Sequence, residues 1–407
     1  MTTIINNENK KLNVPNLRFP EFQGEWEEST IGEEFDLYSG NTPSRLNKEH
    51  FNGAINWISS GELKEHYIAD TKEKISDEAA KTLKMLPIGT FVIAIYGLEA
   101  DGVRGTGSIT KSESTISQAC MAFTSKGKVQ NEFLYSWYKK HGNVIGIRYA
   151  QGTKQQNLSY DIIEKFKIAY PTFQEQKKLN KFIALLDERI ATQYKVIEDL
   201  KKLKCAISKH LFSRKDLLET TIRLADIATL KNGYAFQSSK YNILGKWKIL
   251  TIANVSGERY INEEDCNCII NLPNDIQGHQ VLKEGDILIS LTGNVGRVSL
   301  CKDGNYLLNQ RVGLLHITKN VNQEFLYQVL SSRRFENSMV ACGQGAAQMN
   351  IGKGDVENFV LPYSSNANNI HLVARILHSY DECIINELRE LTQLTMQKQY
   401  LLAQMFI

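Results

Sequence analysis

Two long stretches of the chain place apolar residues at helical spacing. In the first, Leu179, Ile183, Leu186, Ile190, Tyr194, Ile197, Leu200 and Ile207 recur with charged residues between them. In the second, Val373, Leu377, Tyr380, Ile384, Leu388, Leu391, Leu394, Leu401 and Met405 follow the same intervals in the same order. Such stripes predict amphipathic helices with coiled-coil-like seams, whose plainest use is core packing. Phe182–Phe212 aligns to Ile376–Phe406 without a gap, pairing Asp187 with Asp381, Ile190 with Ile384 and Phe212 with Phe406. The ungapped register predicts two helices of equal length.

Ahead of each helix the period changes from helical to strand-like, and again the order repeats. "PIGTFVIAIYG" (Pro87 to Gly97) answers "KEGDILISLTG" (Lys283 to Gly293), an apolar run entered by a glycine turn, which predicts a buried strand. "SQACMAFTS" from Ser117 answers "NQRVGLLHI" from Asn309, and "NEFLYSWY" from Asn131 answers "QEFLYQVL" from Gln323, a strand and then a helix. "STIGEEFDLYSGNTPS" from Ser29 matches the pattern of "TIRLADIATLKNGYAFQS" from Thr221, with Gly40 against Gly233. "QGTKQQNLSYDII" begins at Gln151 and "QGAAQMNIGKGDV" at Gln344, 193 residues later (344 − 151). A short strand follows each, "FKIAYP" (Phe166 to Pro171) or "NFVLP" (Asn358 to Pro362), and hands the chain to its helix. The duplication spans nearly the whole chain, so it governs the fold.

With 407 residues, 42% of them apolar and 23% charged, there is material for two or three cored domains. A net charge of +3 excludes a strongly basic coat but not local basic patches. Seven scattered cysteines fit reduced thiols, and the close pair Cys266 and Cys268 lacks the second pair a zinc site needs. No run approaches the length of a membrane span, and "MTTIINNENKKLN" has no apolar leader region, which points to a cytoplasmic protein. Enzyme motifs are missing too. "GTGSITKS" (Gly105 to Ser112) has Thr110 where a phosphate-cradling loop needs its second glycine, and none of the seven prolines is adjacent to another, which excludes the Asn/Asp-Pro-Pro-Tyr/Phe tetrapeptide of an adenine methyltransferase.

Globular unit, helix, globular unit, helix is then the expected order, with "SRKDLLET" (Ser213 to Thr220) as the joint. If the second helix pairs its stripe with the first, it runs antiparallel to it. A helix of about 35 residues rises about 50 Å, more than the roughly 34 Å of one DNA turn. Between matched strands one unit carries "YGLEADGVRGTGS" (Tyr96 to Ser108) and the other the shorter "LTGNVGRVS" (Leu291 to Ser299). Different loops on one frame suggest two readers of two ligands.

The chain resembles the specificity subunits of type I restriction-modification systems. The resemblance is carried by "LRFPEFQGEWEESTIGE" (Leu17 to Glu33), "SGNTPS", "GTFVIAI", "QGTKQQNLS" and above all "YPTFQEQKKLNKFI" (Tyr170 to Ile183), and it runs from about Leu17 to Ile407. The second half departs from the pattern at Asn368 and Asn369, near where a Glu-Gln pair is expected. The implied fold is α+β: two repeated α/β target-recognition domains separated by two long antiparallel helices forming a coiled-coil spacer. The implied boundaries are a flexible N-terminus at 1–16, recognition domains at 17–172 and 221–363, spacer helices at 173–212 and 364–407, and a linker at 213–220.

In such systems the specificity subunit is non-catalytic. Two modification subunits methylate adenine with S-adenosylmethionine, and restriction subunits add translocation and cleavage driven by ATP with Mg. Double-stranded DNA, those subunits and no membrane are therefore the implied partners, with no cofactor or metal in this chain; a coiled-coil adaptor that binds proteins is the competing reading. Arginine suits guanine edges, Gln and Asn suit adenine, and Lys suits phosphates. The candidate DNA contacts are Arg45, Lys48, Arg104, Lys154, Gln155 and Gln156 in the first domain, and Gln237, Lys240, Asn294, Arg297, Gln344, Gln348 and Lys353 in the second. Tyr234 and Phe236 are read as packing. Glu175, Gln176, Leu179, Ile183, Leu186, Ile190, Ile197, Leu377, Ile384, Leu388 and Leu391 are the candidates for the spacer and for docking partner subunits.

Overall fold

A computed structural model describes residues 13–100, 102–152, 156–343 and 349–407. The chain forms two units. The first ends at Gln193 and takes in Glu390–Ile407; the second is Tyr194–Arg389. Each unit is thus one recognition domain folded together with a part of both long helices.

In the first unit the chain runs through β1 (Glu27–Thr30), α1 (Ile31–Glu34), β2 (Phe35–Ser39), β3 (Ile55–Ile58), β4 (Tyr67–Ile68), β5 (Lys74–Ile75), α2 (Asp77–Ala80), β6 (Phe91–Ala94), β7 (Gly107–Thr110), β8 (Ser114–Ile116), β9 (Cys120–Ser125), α3 (Asn131–Tyr149), α4 (Tyr160–Ile163) and β10 (Lys167–Tyr170), and enters α5 (Phe173–Ser213). Five strands pair in the order β2-β9-β6-β7-β4 and three in the order β5-β3-β8. β1 pairs antiparallel with β10, so the domain's first and last strands close on each other at the start of α5.

The second unit repeats the scheme with β11 (Thr220–Arg223), β12 (Ala228–Asn232), β13 (Trp247–Leu250), β14 (Asn267–Ile269), β15 (Ile287–Ser290), β16 (Val298–Leu300), β17 (Tyr306–Leu308), β18 (Val312–Ile317), α6 (Gln323–Leu330), α7 (Arg333–Cys342), α8 (Lys353–Glu357), β19 (Val360–Tyr363) and α9 (Ala367–Met405). Its sheets run β12-β18-β15-β16 and β14-β13-β17, and β11 pairs with β19 as β1 does with β10. α3 of the first domain is here broken in two, α6 and α7, with Ser332 capping the second piece. In place of β4 there is a single bridge from Tyr260 to Leu300.

The central strands β6 and β15 are buried at every position, which is why their sequences read as nearly continuous apolar runs, interrupted in β15 only by the buried Ser290. In the first unit Phe91, Phe123, Phe133 and Tyr135 share one core with Leu179, Ile183, Leu402, Met405 and Phe406 of the long helices. In the second, Phe325, Leu326, Phe335 and Leu361 share theirs with Leu211, Ile370, Val373 and Leu377. Within each unit the helical segments run antiparallel: Leu179 and Ile183 lie in a core with Leu402 and Phe406, while Asp187 binds Lys398 and Arg189 binds Glu390. Two stripe residues at matching positions, Tyr194 and Leu388, are exposed instead of buried. A 3.6-residue helix drifts from any stricter repeat, and over a run this long some stripe positions rotate out of the seam. Among the described residues no helix is long and apolar enough to cross a membrane.

Of the N-terminal stretch expected to be flexible, residues 13–16 are tied down. The Trp26 N–H donates to the Asn13 carbonyl at 2.8 Å and the Asn16 amide donates to Gln404 Oε1 at 3.1 Å. Arg18 then forms a two-pronged ion pair with the buried Glu175 at 2.8 and 2.7 Å.

Gly40 and Gly233 end β2 and β12 against the backbone of the neighbouring sheet. A Cβ on Gly40 would lie 2.3 Å from the carbonyl oxygens of Ile116 and Ser117, and one on Gly233 2.1 Å from that of Asn309. Backbone does not yield as a side chain does, so Gly40→Ala or Gly233→Ala is expected to cost about 1–3 kcal/mol or more in denaturant unfolding, while Gly61→Ala, with open space around it, leaves the midpoint unchanged.

Candidate nucleic-acid interface

Strand register brings one set of loops together in each domain. Ser39 at the end of β2 is opposite Met121 near the start of β9, Ala94 at the end of β6 is opposite Cys120, and Ile93 is opposite Gly107 at the start of β7. The loops after β2, between β6 and β7, and before β9 therefore share one end of the sheet. In the second domain Asn232 is opposite Gly313, Ser290 opposite Val312 and Ile289 opposite Val298, which gathers the loops after β12, between β15 and β16, and before β18.

The repeated phrase supplies the fourth loop in each cluster. In the first domain the Leu158 N–H donates to the Ile95 carbonyl and the Leu98 N–H to the Gln156 carbonyl. In the second the Ile351 N–H donates to the Leu291 carbonyl and the Gly293 N–H to the Met349 carbonyl. Bridges from Tyr96 to Asn157 and from Thr292 to Asn350 complete the match. These bonds are all between main-chain atoms, so the phrase docks identically while its side chains differ: Gln156 in one copy stands where Met349 does in the other.

Of the sequence-predicted contacts, Lys154, Gln155, Gln344 and Gln348 lie outside the described residues. Arg104 and Gln156 come together, with the Arg104 guanidinium donating to Gln156 Oε1 at 2.8 Å. The Arg104 stem lies against Gly146 of α3, and its Nε has no hydrogen-bond partner among the described residues. The Gln156 N–H donates to the exposed Glu99 carboxylate, which holds that group below its usual pKa. Arg297 is the second domain's arginine in the matching loop, packed on Gly257 and 3.8 Å from Glu336; Asn294 beside it is exposed.

Arg45 is exposed and has partners in its own domain. It pairs two-pronged with Glu73 at 2.8 Å and covers the Phe51 ring, which ties the β2–β3 loop down. Lys48, Gln237 and Lys240 are exposed in the loops after β2 and β12. Lys353 starts α8, 3.5 Å from Glu357. The Tyr234 and Phe236 rings pack on each other at 4.9 Å, and the Tyr234 hydroxyl donates to Asp275.

The DNA specificity domain of type I restriction-modification systems matches this chain twice, over residues 23–202 and 219–396. The chain belongs to this family. The specificity subunit of the type I restriction enzyme MjaVIII from Methanocaldococcus jannaschii is 24% identical over 408 residues, covering 94% of this chain and 92% of its own. The fold is shared with the type I S subunit from M. genitalium, at a TM-score of 0.57 and 18% identity over 97% and 99% of the two chains. It is shared too with a chain from a study of the assembly and conformational transition of the type I system, at a TM-score of 0.56 and 16% identity over 93% and 96%.

In this family member Glu175 and Gln176, proposed for partner docking, are buried in the first unit. Glu175 holds Arg18, while the Gln176 amide donates to the Lys128 and Pro171 carbonyls and accepts from the Gln130 N–H. They pin the start of α5. At the start of α9 the charged clamp gives way to a neutral one, in which the Asn369 amide donates to the Leu217 carbonyl at 3.1 Å. Leu179, Ile183, Ile197, Leu377, Ile384 and Leu391 are buried, Leu186 and Ile190 partly so, and Leu388 is exposed.

Sequence reasoning missed the polar groups that fasten each recognition domain to the helices. In the second unit Arg259 donates two-pronged to Glu324 of α6 at 2.9 and 2.6 Å, and to Asp381 of α9 at 3.0 Å. Lys204 of α5 and the buried Gln328 also donate to Asp381, at 2.5 and 2.6 Å. The guanidinium lies over Tyr327 at 5.0 Å. Burial works against the charge on Arg259, but the Glu324 carboxylate outweighs it and its pKa is raised; burial pushes Glu324 up, but Arg259 brings it below the usual carboxylate range. Replacing Arg259 by Leu leaves the buried Asp381 and the half-buried Glu324 short of a cation, and an unfolding curve is expected to show a loss of about 3–5 kcal/mol. Removing Glu324 in the same chain should recover part of it.

Proposed function

We propose that this chain is the sequence-reading subunit of a type I restriction-modification complex, and that each domain reads one half of a bipartite, asymmetric DNA site. The observation that carries the reading is the duplicated loop cluster: one frame brings the same four loops to the same sheet end twice and then varies their side chains. Arg104 and Arg297 are the candidates for guanine, through its O6 and N7. Gln156 and Asn294 have the donor-acceptor pair that adenine takes. Lys48, Lys240 and Lys353 suit phosphates, which fix position without reading sequence.

On this reading the chain performs no chemistry. Methyl transfer from S-adenosylmethionine to adenine belongs to two modification subunits docked on it, and ATP with Mg to the restriction subunits. The net charge of +3 is small for a protein gripping many phosphates, so the partners supply much of the neutralisation. α5 is a single helix of 41 residues joining one domain to the next, and α9 has 39. Their length sets the unread gap between half-sites.

Mapping methylated adenines in cells that carry this chain with its modification subunits is expected to show one bipartite motif. Arg297→Ala should relax one base position in one half-site, at a cost of about 1–3 kcal/mol in discrimination, and leave the other half unchanged; changes in both halves would sink the assignment of one reader per half. Seven residues inserted into both α5 and α9 add about 10 Å of helix, or up to about three base pairs, to the gap. The same map should then show a longer gap with both half-site sequences intact, and altered half-sites with the old gap would refute the spacer's role.

A further inference from the structure

The fastening described for Arg259 has a counterpart in the first unit, matched group for group but built on a different cation. The His66 carbonyl accepts from the Ile109 N–H at 2.8 Å as the Arg259 carbonyl accepts from the Leu300 N–H at 2.7 Å, which places the two residues at the same point of the repeated frame. His66 lies 2.9 Å from Glu132 of α3 through Nε2 and 2.9 Å from Asp187 of α5 through Nδ1. Lys398 of α9 holds the other Asp187 oxygen. Glu132, Asp187, Lys398 and Tyr135 thus stand where Glu324, Asp381, Lys204 and Tyr327 do in the second unit.

Both ring nitrogens of His66 are aimed at carboxylate oxygens. A neutral imidazole has one N–H, so it satisfies one carboxylate and turns a lone pair on the other; only the doubly protonated ring donates to both. The ring cannot turn away, because it is stacked between Tyr67 at 4.1 Å and Tyr135 at 4.0 Å, with interplanar angles of 7° and 0°. Two carboxylates against Lys398 and a charged His66 balance. Once the ring is neutral, one negative charge is left over.

We propose that His66 is a protonation-dependent positioning residue, clamping the first recognition domain to the long helices only as imidazolium, while Arg259 clamps the second domain at any physiological pH. The clamp follows from the geometry alone; its effect on DNA reading rests on the function proposed above. Burial pulls the His66 ring toward neutrality, but the bonds to Asp187 and Glu132 outweigh it and raise its pKa above the usual 6.5. A cation whose pKa is raised by folding gives its full stabilisation below 6.5 and loses it as pH climbs through the raised value. The clamp therefore loosens on the alkaline side.

Other groups around the ring titrate or carry charge. Glu65 and Tyr67 adjoin it in sequence, and Tyr135 and Lys139 come from α3. Burial and the nearby Lys398 bring Lys139 down to about 8, so it loses charge in the same region. His378 lies 3.6 Å from Glu324 in the second unit. Exchanging the two clamp cations separates His66 from these neighbours, because every one of them stays in place.

The ring is read directly by following the eight histidines of the full chain by NMR from pH 5.5 to 9, with the His66 signal identified by its absence in His66→Gln. A midpoint above 6.5 that falls in Asp187→Asn is expected; a midpoint at or below 6.5 overturns the proposal. Thermal unfolding of wild type, His66→Arg and Arg259→His follows across the same range. Relative to the wild type, His66→Arg should hold its midpoint on the alkaline side, and Arg259→His should lose midpoint more steeply as pH rises. Should His66→Arg fail to fold, Arg259→His still decides, since a pH profile parallel to the wild type refutes the clamp. In the assembled complex, methylation by wild type should match His66→Arg at pH 6 and fall several-fold below it at pH 8.5. Absence of a bipartite motif at every pH would refute the function proposed above and leave the ring titration standing, whereas a motif with parallel pH profiles would refute the clamp's effect on reading and leave the function standing.

Discussion

A carboxylate drawn out of water beside a helix seam is unstable unless cations and donors reach it, and the partly buried Asp187 and the buried Asp381 are two such groups at matching positions of the long helices. Each is met by a lysine of the opposite helix and by a basic side chain, His66 or Arg259, from its own recognition domain. An isolated buried charge costs several kcal/mol, so the acid is tolerable only where helix, helix and domain meet in one register. A slip of either helix or a tilt of the domain removes a partner. Apolar packing in the shared cores supplies the adhesion, and these acids make it selective for a single arrangement within each unit.

The repeat makes its own internal comparison. The two domains keep the strand that closes on the start of the helix, the glycine that meets a carbonyl wall, and the acid on α3 or α6 that faces the clamp cation. They part company where the frame does not need a given side chain. Arg18 with Glu175 at the head of α5 becomes Asn369 with the Leu217 carbonyl at the head of α9, a neutral bond in place of an ion pair. A continuous α3 becomes α6 and α7 with a capped break between them. The first exchange keeps the place of the link and changes its charge, and the second keeps the place of the helix and divides it.

Much of this was legible in the residues. The ungapped match of the two stripes located both helices, and the nearly continuous apolar runs marked β6 and β15, because a strand buried on both faces does not alternate apolar with polar. The docking loops were legible as a repeated phrase. The clamps were not, since His66 and Arg259 sit in polar segments that look solvated, and a loop residue shows no period. One signal did exist: Asp187 and Asp381 interrupt otherwise apolar stretches at the same position, and each is followed by a lysine seventeen residues on (204 − 187 and 398 − 381). Arg45 shows the converse. A basic residue after a glycine turn reads as a DNA contact, and only its distance to Glu73 shows that the domain already uses it.

The matched hydrogen bonds that seat the repeated phrase join peptide groups, and peptide groups are the same whatever residue carries them. Gln156 and Met349 can therefore differ in polarity while those bonds stay the same, Gln156 accepting from Arg104 and Met349 packing on the core of its unit. Substitution at such a position changes side-chain contacts and leaves the main-chain seating in place. On the proposed reading, the phrase is a place where recognition can drift while the frame stays, the property a protein needs if its target is to change faster than its fold.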